Sequence, residues 1–286
     1  MKPIAYTETF FSIQGEAANT GRLCTWLRFF SCNLQCQGFG QKEPGNPDSW
    51  EPQRMVDPKD FIELTQVPTP TVGCDSDYSW NAKFKHLVKK NTAREIADLV
   101  RNTIPDRSFK GKIGHVFTGG EPMIQQQAII DIIECWVEDG DVPAWVAYET
   151  NGTKKLLPVF KEYLQQTDIP MYFSISPKLL HVAGEQPSKA IKPECLSDMI
   201  ATLPDSYLKF VLNEDPRAWE QCEQVIADVK KLSGVDPEVW VMPVGAHADQ
   251  QLDPAVDRIA DKAIFQYGWN VSPRVHIMIW SDQIGR

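Results

Sequence analysis

Three cysteines constrain this chain more than anything else in it. Cys32 and Cys36 stand four apart in Ser31-Cys32-Asn33-Leu34-Gln35-Cys36, and Cys74 follows only after a long interruption. Thiolate is the soft donor that iron–sulfur clusters need, and three such donors leave one iron of a [4Fe-4S] cluster open to a further ligand. Any fold that serves this chemistry must carry residue 74 back to the loop at 32–36. Cys24 is the alternative third ligand and is nearer in sequence. It lies mid-strand, however, whereas Cys74 lies in a loop beside Asp75, Ser76 and Asp77, so the spacing favours Cys74. Cys135 and Cys222 fall inside apolar helical patterns as small buried hydrophobes, and Cys195 has no partner at ligand spacing.

Composition narrows the field further. Across 286 residues the formal charge is −9 and the pI about 5.1, which argues against non-specific nucleic-acid binding and for a small-molecule partner. Seven unevenly spaced cysteines do not make a disulfide framework. The N-terminus lacks an apolar signal core, and no stretch approaches the ~18 apolar residues of a membrane span, so a cytoplasmic protein is expected. His86, His115, His181 and His247 show no metal spacing.

The chain reads as one domain, 1–286, with irregular insertions at about 37–73 and 179–206. Residues 4 to 13 alternate as a first strand and run into Ser12-Ile13-Gln14-Gly15-Glu16, a glycine turn flanked by polar side chains. The run from Leu23 to Phe30 is an apolar strand with a single charge in it, Arg28. A charge there needs a partner or a ligand carboxylate that it can grip bidentately. Prolines and glycines dominate 37–73 and leave room only for a short helix around Pro58 to Gln66. This insertion is expected to act as a lid or a partner surface.

From Thr92 the pattern becomes strand and helix in alternation, the signature of parallel βα units. Thr92 and Glu95 form a capping box ahead of a stripe of Ile96, Leu99, Val100 and Ile104. Strand 113–118 runs into Gly119-Gly120-Glu121-Pro122, followed by a helix striped with Ile129, Ile130, Ile133, Trp136 and Val137. Strand 144–150 ends in Glu149-Thr150-Asn151-Gly152-Thr153, and strand 171–175 in Ser176-Pro177-Lys178. Strands 207–212 and 239–242 follow, and 272–280 reads as a last strand bearing His276. Glycine-rich or polar residues recur at the C-terminal ends of strands, where α/β barrels place their sites.

These parts suggest one chemistry. An open cluster iron can chelate the amino and carboxylate groups of S-adenosylmethionine, and one-electron reduction then yields a 5′-deoxyadenosyl radical. Gly119 and Gly120 would let backbone approach the methionine amine, with Glu121 adding a carboxylate.

The set of motifs, spanning residues 6 to 280 outside the two irregular stretches, resembles the 7-carboxy-7-deazaguanine synthase family of radical S-adenosylmethionine enzymes. The resemblance rests on Ser12 to Glu16, Arg28 before Cys32-Asn33-Leu34-Gln35-Cys36, Cys74-Asp75-Ser76 with Tyr78 and Trp80, Thr118 to Pro122, Glu149 to Thr153, Ser176-Pro177-Lys178, and Arg274 through Trp280. It implies an incomplete (β/α) barrel with a parallel sheet and flanking helices, and a homodimer. It also implies ring contraction of 6-carboxy-5,6,7,8-tetrahydropterin to 7-carboxy-7-deazaguanine with loss of ammonia, in the manner of queuosine-type biosynthesis, with an electron donor such as a flavodoxin.

By that resemblance Ile13, Gln14, Gly15, Glu16, Arg28, Thr118 and His276 form the substrate shell. Gly73, Asp75, Gly120, Glu121, Glu149, Ser176, Pro177 and Lys178 form the cofactor shell, Arg28 and Glu121 carry the catalytic roles, and Ser76 is the magnesium ligand.

The chain departs from the family where Phe39 occupies the usual place of the third cysteine, where Met242 replaces an expected glutamine, and at its last residues, Ile284-Gly285-Arg286. Two rivals share some of these features. A glycyl-radical activating enzyme would share the cluster and the glycines but has no use for Arg28, Ser76 or His276. A non-catalytic zinc protein would use the cysteines alone.

Overall fold

The computed structural model describes residues 3–54 and 56–286. Strand β1 (Ile4–Ile13) pairs antiparallel with β2 (Leu23–Phe29) and, on its other side, with the short β3 (Lys89–Asn91). From β2 onward every pairing is parallel, through β4 (Gly114–Gly119), β5 (Val146–Thr150), β6 (Met171–Ile175), β7 (Tyr207–Leu212), β8 (Glu238–Pro243) and β9 (Asn270–Val271). The order β3-β1-β2-β4-β5-β6-β7-β8-β9 leaves β3 and β9 as unjoined edges, so the barrel is incomplete.

Helices α1 (Ala93–Asn102), α2 (Gln126–Glu138) and α3 (Pro158–Gln166) follow the early strands, and α4 (Leu180–Ala183), α5 (Pro187–Ala190), α6 (Pro193–Thr202) and α7 (Pro216–Ser233) the later ones. Helices α8 (Ala248–Gln251) and α9 (Pro254–Asp261) precede β9, and α10 (Val275–Trp280) ends the order. The Thr92–Glu95 capping box that starts α1 is present as the sequence predicts. Strands Ile4–Ile13, Met171–Ile175 and Tyr207–Leu212 have the predicted bounds. The stripes differ in detail, because Leu99 and Val137 face solvent and Ile132 is buried in the core.

Alternation along the strands divides the sheet into two faces. One face packs on the helices through Leu27, Phe29, Phe117, Tyr148, Phe173, Leu208 and Phe210 in a continuous core. The other carries Arg28, Thr118, Glu149, Ser174, Lys209 and Met242, one from each of β2, β4, β5, β6, β7 and β8, and all six line a common cavity.

Three expectations fail. The stretch 179–206 is largely helical, because Pro187 and Pro193 sit at the first turns of α5 and α6, where the missing N–H costs nothing. Pro58 to Gln66 forms no helix, only two separate 3-10 turns, Pro58–Asp60 and Leu64–Gln66. Residues 272–280 are not a strand. The sheet ends at β9, and the Val275 amide bonds the Gly15 carbonyl at 2.9 Å while α10 winds away. An apolar run this short satisfies a helical or an extended pattern equally well.

Candidate active site

The three cysteines meet at the C-terminal end of the parallel strands. Cys32, Cys36 and Cys74 gather around Leu34, Phe39, Ala183 and Ala190, while Cys24 is fully buried elsewhere, beside Val116 and Trp145. The loop is closely held. Asn33 donates to Thr153 Oγ1 at 2.8 Å, and the Gln35 and Cys36 amides both donate to Glu185 Oε1, at 2.6 and 2.8 Å. That carboxylate supports Cys36 in a left-handed conformation, φ 52°.

Donors also reach the sulfurs. The Leu34 amide lies 3.4 Å from Cys32 Sγ, and Trp80 Nε1 and Ser76 Oγ lie 3.5 and 3.6 Å from Cys74 Sγ. Burial pushes all three thiols up, Cys32 to about 12, so these groups are protonated until a metal displaces the proton. Among the described residues no group of three or more His, Cys, Asp or Glu is gathered closely enough to hold a single metal ion. Three soft donors, two of them with N–H groups aimed at the sulfur, suit the larger body of a cluster rather than one zinc ion.

The insertion leaves this geometry intact because its ends are pinched together. The Gly38 amide bonds the Ala183 carbonyl at 3.0 Å, and the Gly73 amide bonds the Phe39 carbonyl at 2.7 Å. Cys74 therefore arrives next to Phe39. Inside the insertion, Gln53 donates to the Cys74 carbonyl at 2.7 Å, and Arg54 pairs with the buried Asp77.

The cavity measures about 550 Å³, a size suited to a small-molecule ligand pair. Of the residues the motifs single out, Ile13, Gln14, Glu16, Arg28, Gly73, Asp75, Ser76, Thr118, Gly120, Glu149, Ser176, Lys178 and His276 line it. Gly15 does not. It instead gives His276 its place, since a Cβ there would stand 1.9 Å from His276 Nδ1. Pro177 does not line the cavity either.

Glu121 is also withdrawn from it. Its carboxylate is fully buried and accepts from the Met123 amide at 2.9 Å, the Thr150 hydroxyl at 2.7 Å and the Asn151 amide at 2.8 Å. The structure thus commits Glu121 to joining the ends of β4 and β5. Gly119 and Gly120 serve a related purpose. A Cβ on them would stand 2.4 Å from the Phe29 carbonyl and 2.2 Å from the Ser31 carbonyl, so the pair brings β4 against the cluster loop.

Much of the charge in the cavity is paired. Arg28 Nε donates to Glu8 Oε1 at 2.7 Å, and its guanidinium lies over the Tyr78 ring. Arg274 bonds Glu16 and Asp75, each at 2.9 Å, while Lys209 bonds Glu16 at 2.6 Å and stands 3.5 Å from Glu149. Burial pushes the His276 imidazole down to about 4, with Arg274 adding to the effect, so it is neutral at physiological pH. Its Nδ1 has no hydrogen-bond partner among the described residues. Lys178 Nζ donates to Ser176 Oγ at 2.9 Å and stands over the Phe39 ring.

Lys209, Glu8 and Glu185 escape a motif reading. Lys209 was open to detection by the criterion that singles out Arg28, a lone charge within an apolar strand.

The fold places the chain in a class. It superposes on QueE from Escherichia coli with a TM-score of 0.55 and 16% identity, over 96% of this chain and 95% of that one, so the incomplete (β/α) barrel is shared. Sequence relatives are narrower in kind. The chain is 25% identical over 98% of its length to 7-carboxy-7-deazaguanine synthase from Pyrobaculum aerophilum, which it covers to 96%. It is also 25% identical to the synthases so named from Halobacterium salinarum and Hyperthermus butylicus, over 96% and 95% of its length. The resemblance carried by the motifs is therefore borne out along nearly the whole chain. No family model matches it.

Proposed function

We infer that the protein is a radical S-adenosylmethionine enzyme that converts 6-carboxy-5,6,7,8-tetrahydropterin to 7-carboxy-7-deazaguanine with loss of ammonia. The observation that carries this reading is the meeting, in one cavity, of three gathered thiols and the Arg28 guanidinium, in a chain that aligns end to end with synthases of that name.

Bound to Cys32, Cys36 and Cys74, a [4Fe-4S] cluster with S-adenosylmethionine supplies the reducing and hydrogen-abstracting chemistry. The chain supplies position. Arg28, pinned through Nε by Glu8, has no other guanidinium hydrogen bond among the described residues, which leaves both Nη groups for the pterin carboxylate. Thr118 and the neutral His276 also line the cavity and offer hydrogen bonds without charge. Gln14 and Glu16 reach the cavity from the turn after β1.

Gly73, Asp75, Gly120, Glu149, Ser176 and Lys178 form the cofactor side, with Pro177 holding the Ser176 and Lys178 backbone. Ser76 contributes a hard oxygen for magnesium, which usually completes its shell with substrate and water oxygens. Glu121 supports this wall from behind rather than touching a ligand. No helix among the described residues is long and apolar enough to cross a membrane. A cytoplasmic homodimer reduced by a flavodoxin-type donor completes the proposal.

The test is an anaerobic assay of reconstituted protein with the pterin. We expect 7-carboxy-7-deazaguanine without net consumption of S-adenosylmethionine, and deuterium from substrate C6 in the recovered cofactor. Stoichiometric 5′-deoxyadenosine with no deazaguanine would overturn the reading in favour of a glycyl-radical activating enzyme.

A further inference from the structure

Lys209 stands in the middle of β7, in Tyr207-Leu208-Lys209-Phe210, with its side chain turned to the cavity and almost wholly buried. A buried ammonium is costly unless closely paired. Here Nζ lies 2.6 Å from Glu16 Oε2 and 3.5 Å from Glu149 Oε2. Glu16 Oε1 takes Arg274 Nε at 2.9 Å, and Arg274 continues to Asp75 Oδ2 at 2.9 Å. Gln14 closes a ring, since its Nε2 donates to Glu149 Oε1 and its Oε1 accepts from the Glu16 amide, both at 3.1 Å. His276 and Tyr207 face the same acids from α10 and β7.

Glu16 belongs to the pterin side of the proposed site and Glu149 to the cofactor side. We propose that Lys209 is a positioning residue that couples the two ligand sites, holding the Glu16 and Glu149 side chains at a fixed separation so that one buried ion network sets both.

The electrostatics agree with this arrangement. Burial pushes Glu16 up, but Lys209 and Arg274 outweigh it and hold the carboxyl well below the usual carboxylate range. Burial likewise disfavours the charged form of Lys209, and Glu149 and Glu16 overcome it and raise the amine above its ordinary value. A depressed carboxyl contributes stability above its unfolded pKa, lost as pH falls through its folded value. A raised lysine contributes stability below its unfolded pKa, lost as pH rises through its folded value. Both groups are therefore fully charged across the neutral range. Without Lys209, burial would push Glu16 up with Arg274 left as its hydrogen-bonded cation.

The proposal rests on the functional reading only for the naming of the two ligands. Reconstituted full-length protein with Lys209→Met or Lys209→Arg is melted without ligands from pH 5.5 to 8.5. S-adenosylmethionine affinity is read from the EPR change of the reduced cluster, with and without the pterin. The network predicts that Lys209→Arg follows the parent across this range, while Lys209→Met melts lower than the parent at pH 8 and closes the gap as pH falls. At pH 8, Lys209→Met should bind the cofactor about tenfold more weakly, the equivalent of one pKa unit, and lose any effect of pterin on that binding.

A Lys209→Met profile parallel to that of the parent would overturn the proposal, as would a change in the affinity of one ligand alone. Should Lys209→Met not fold, Glu149→Gln decides. Coupling requires it to move both cofactor affinity and pterin KM, and an unmoved pterin KM refutes it. Melting needs no turnover, so a protein inert towards the pterin would retract the functional reading and leave the network standing or falling by its own result.

Discussion

Glu8 and Arg28 face each other across the antiparallel β1–β2 pairing, and the Nε of Arg28 meets Glu8 Oε1 at 2.7 Å while the Tyr78 hydroxyl donates to the same oxygen at 3.0 Å. Arg28, the proposed anchor for a ligand carboxylate, is thus already paired on one side, and its fork is held in place. Burial works against its charge, but Tyr78 and Glu8 raise its pKa above the ordinary value, so it stays a cation. Glu8→Gln should lower KM for the pterin by removing the competing charge, and lower kcat by loosening the fork. Arg28→Lys should raise KM and lower kcat together, because a point charge cannot hold a planar carboxylate and misplacement by ~1 Å can cost on the order of a hundredfold in rate. Steady-state kinetics on both variants checks the pair.

Iron content after anaerobic reconstitution separates the cysteines. Ala at Cys32, Cys36 or Cys74 should abolish cluster binding. Cys24→Ala should retain it, since Cys24 lies apart from the gathered thiols. A cluster lost with Cys24 and kept without Cys74 would refute the assignment.

Glu185 accepts two amides of the cluster loop through one oxygen, and Lys189 binds its other oxygen at 3.2 Å. Glu185→Ala leaves both amides without their acceptor, at about 1 to 3 kcal/mol for each that stays dry. The variant should assemble a cluster and lose it faster in air than the parent does. Equal half-lives of the visible absorption would show that the carboxylate is dispensable.

Acid sensitivity should follow the buried histidines. Burial lowers His115 to about 3, and His276 sits near 4, so the folded chain keeps both neutral while the unfolded chain takes up protons below its ordinary histidine value of about 6.5. Stability therefore falls as pH drops from that value towards 4, by up to ~1.4 kcal/mol per pH unit for each histidine. His115→Gln should lessen the slope of denaturant stability against pH by about one proton. An unchanged slope would place the proton uptake elsewhere.

The gathering of Cys32, Cys36 and Cys74 and most of the cavity lining were legible, because thiol spacing and polar strand ends are local signals. The roles of Glu121 and the glycine pair were not legible, since the same residues serve equally to touch a ligand or to bring β4 against the cluster loop. Prolines misled in 179–206, where they open helices, and the apolar run after Arg274 carried no period strong enough to tell helix from strand. Pairings such as Glu8 with Arg28 or Lys209 with Glu16 depend on register and curvature, which a linear reading does not contain.

The pinched neck at Phe39 and Gly73 bears on how such a chain can change. Loop closure already made at the neck is insensitive to what lies beyond it, so length can be added outside without moving the three gathered thiols. Gln53 and Arg54 tie the loop inward, as do Phe61, Leu64 and Val67 where they pack with Tyr78 and Phe84, and Arg54→Ala, which strands the buried Asp77, should cost about 3 to 5 kcal/mol. Between those contacts Ile62 is 82% exposed. A fluorescent domain spliced between Ile62 and Glu63 should leave the cluster in place, making this excursion a natural port for a reporter.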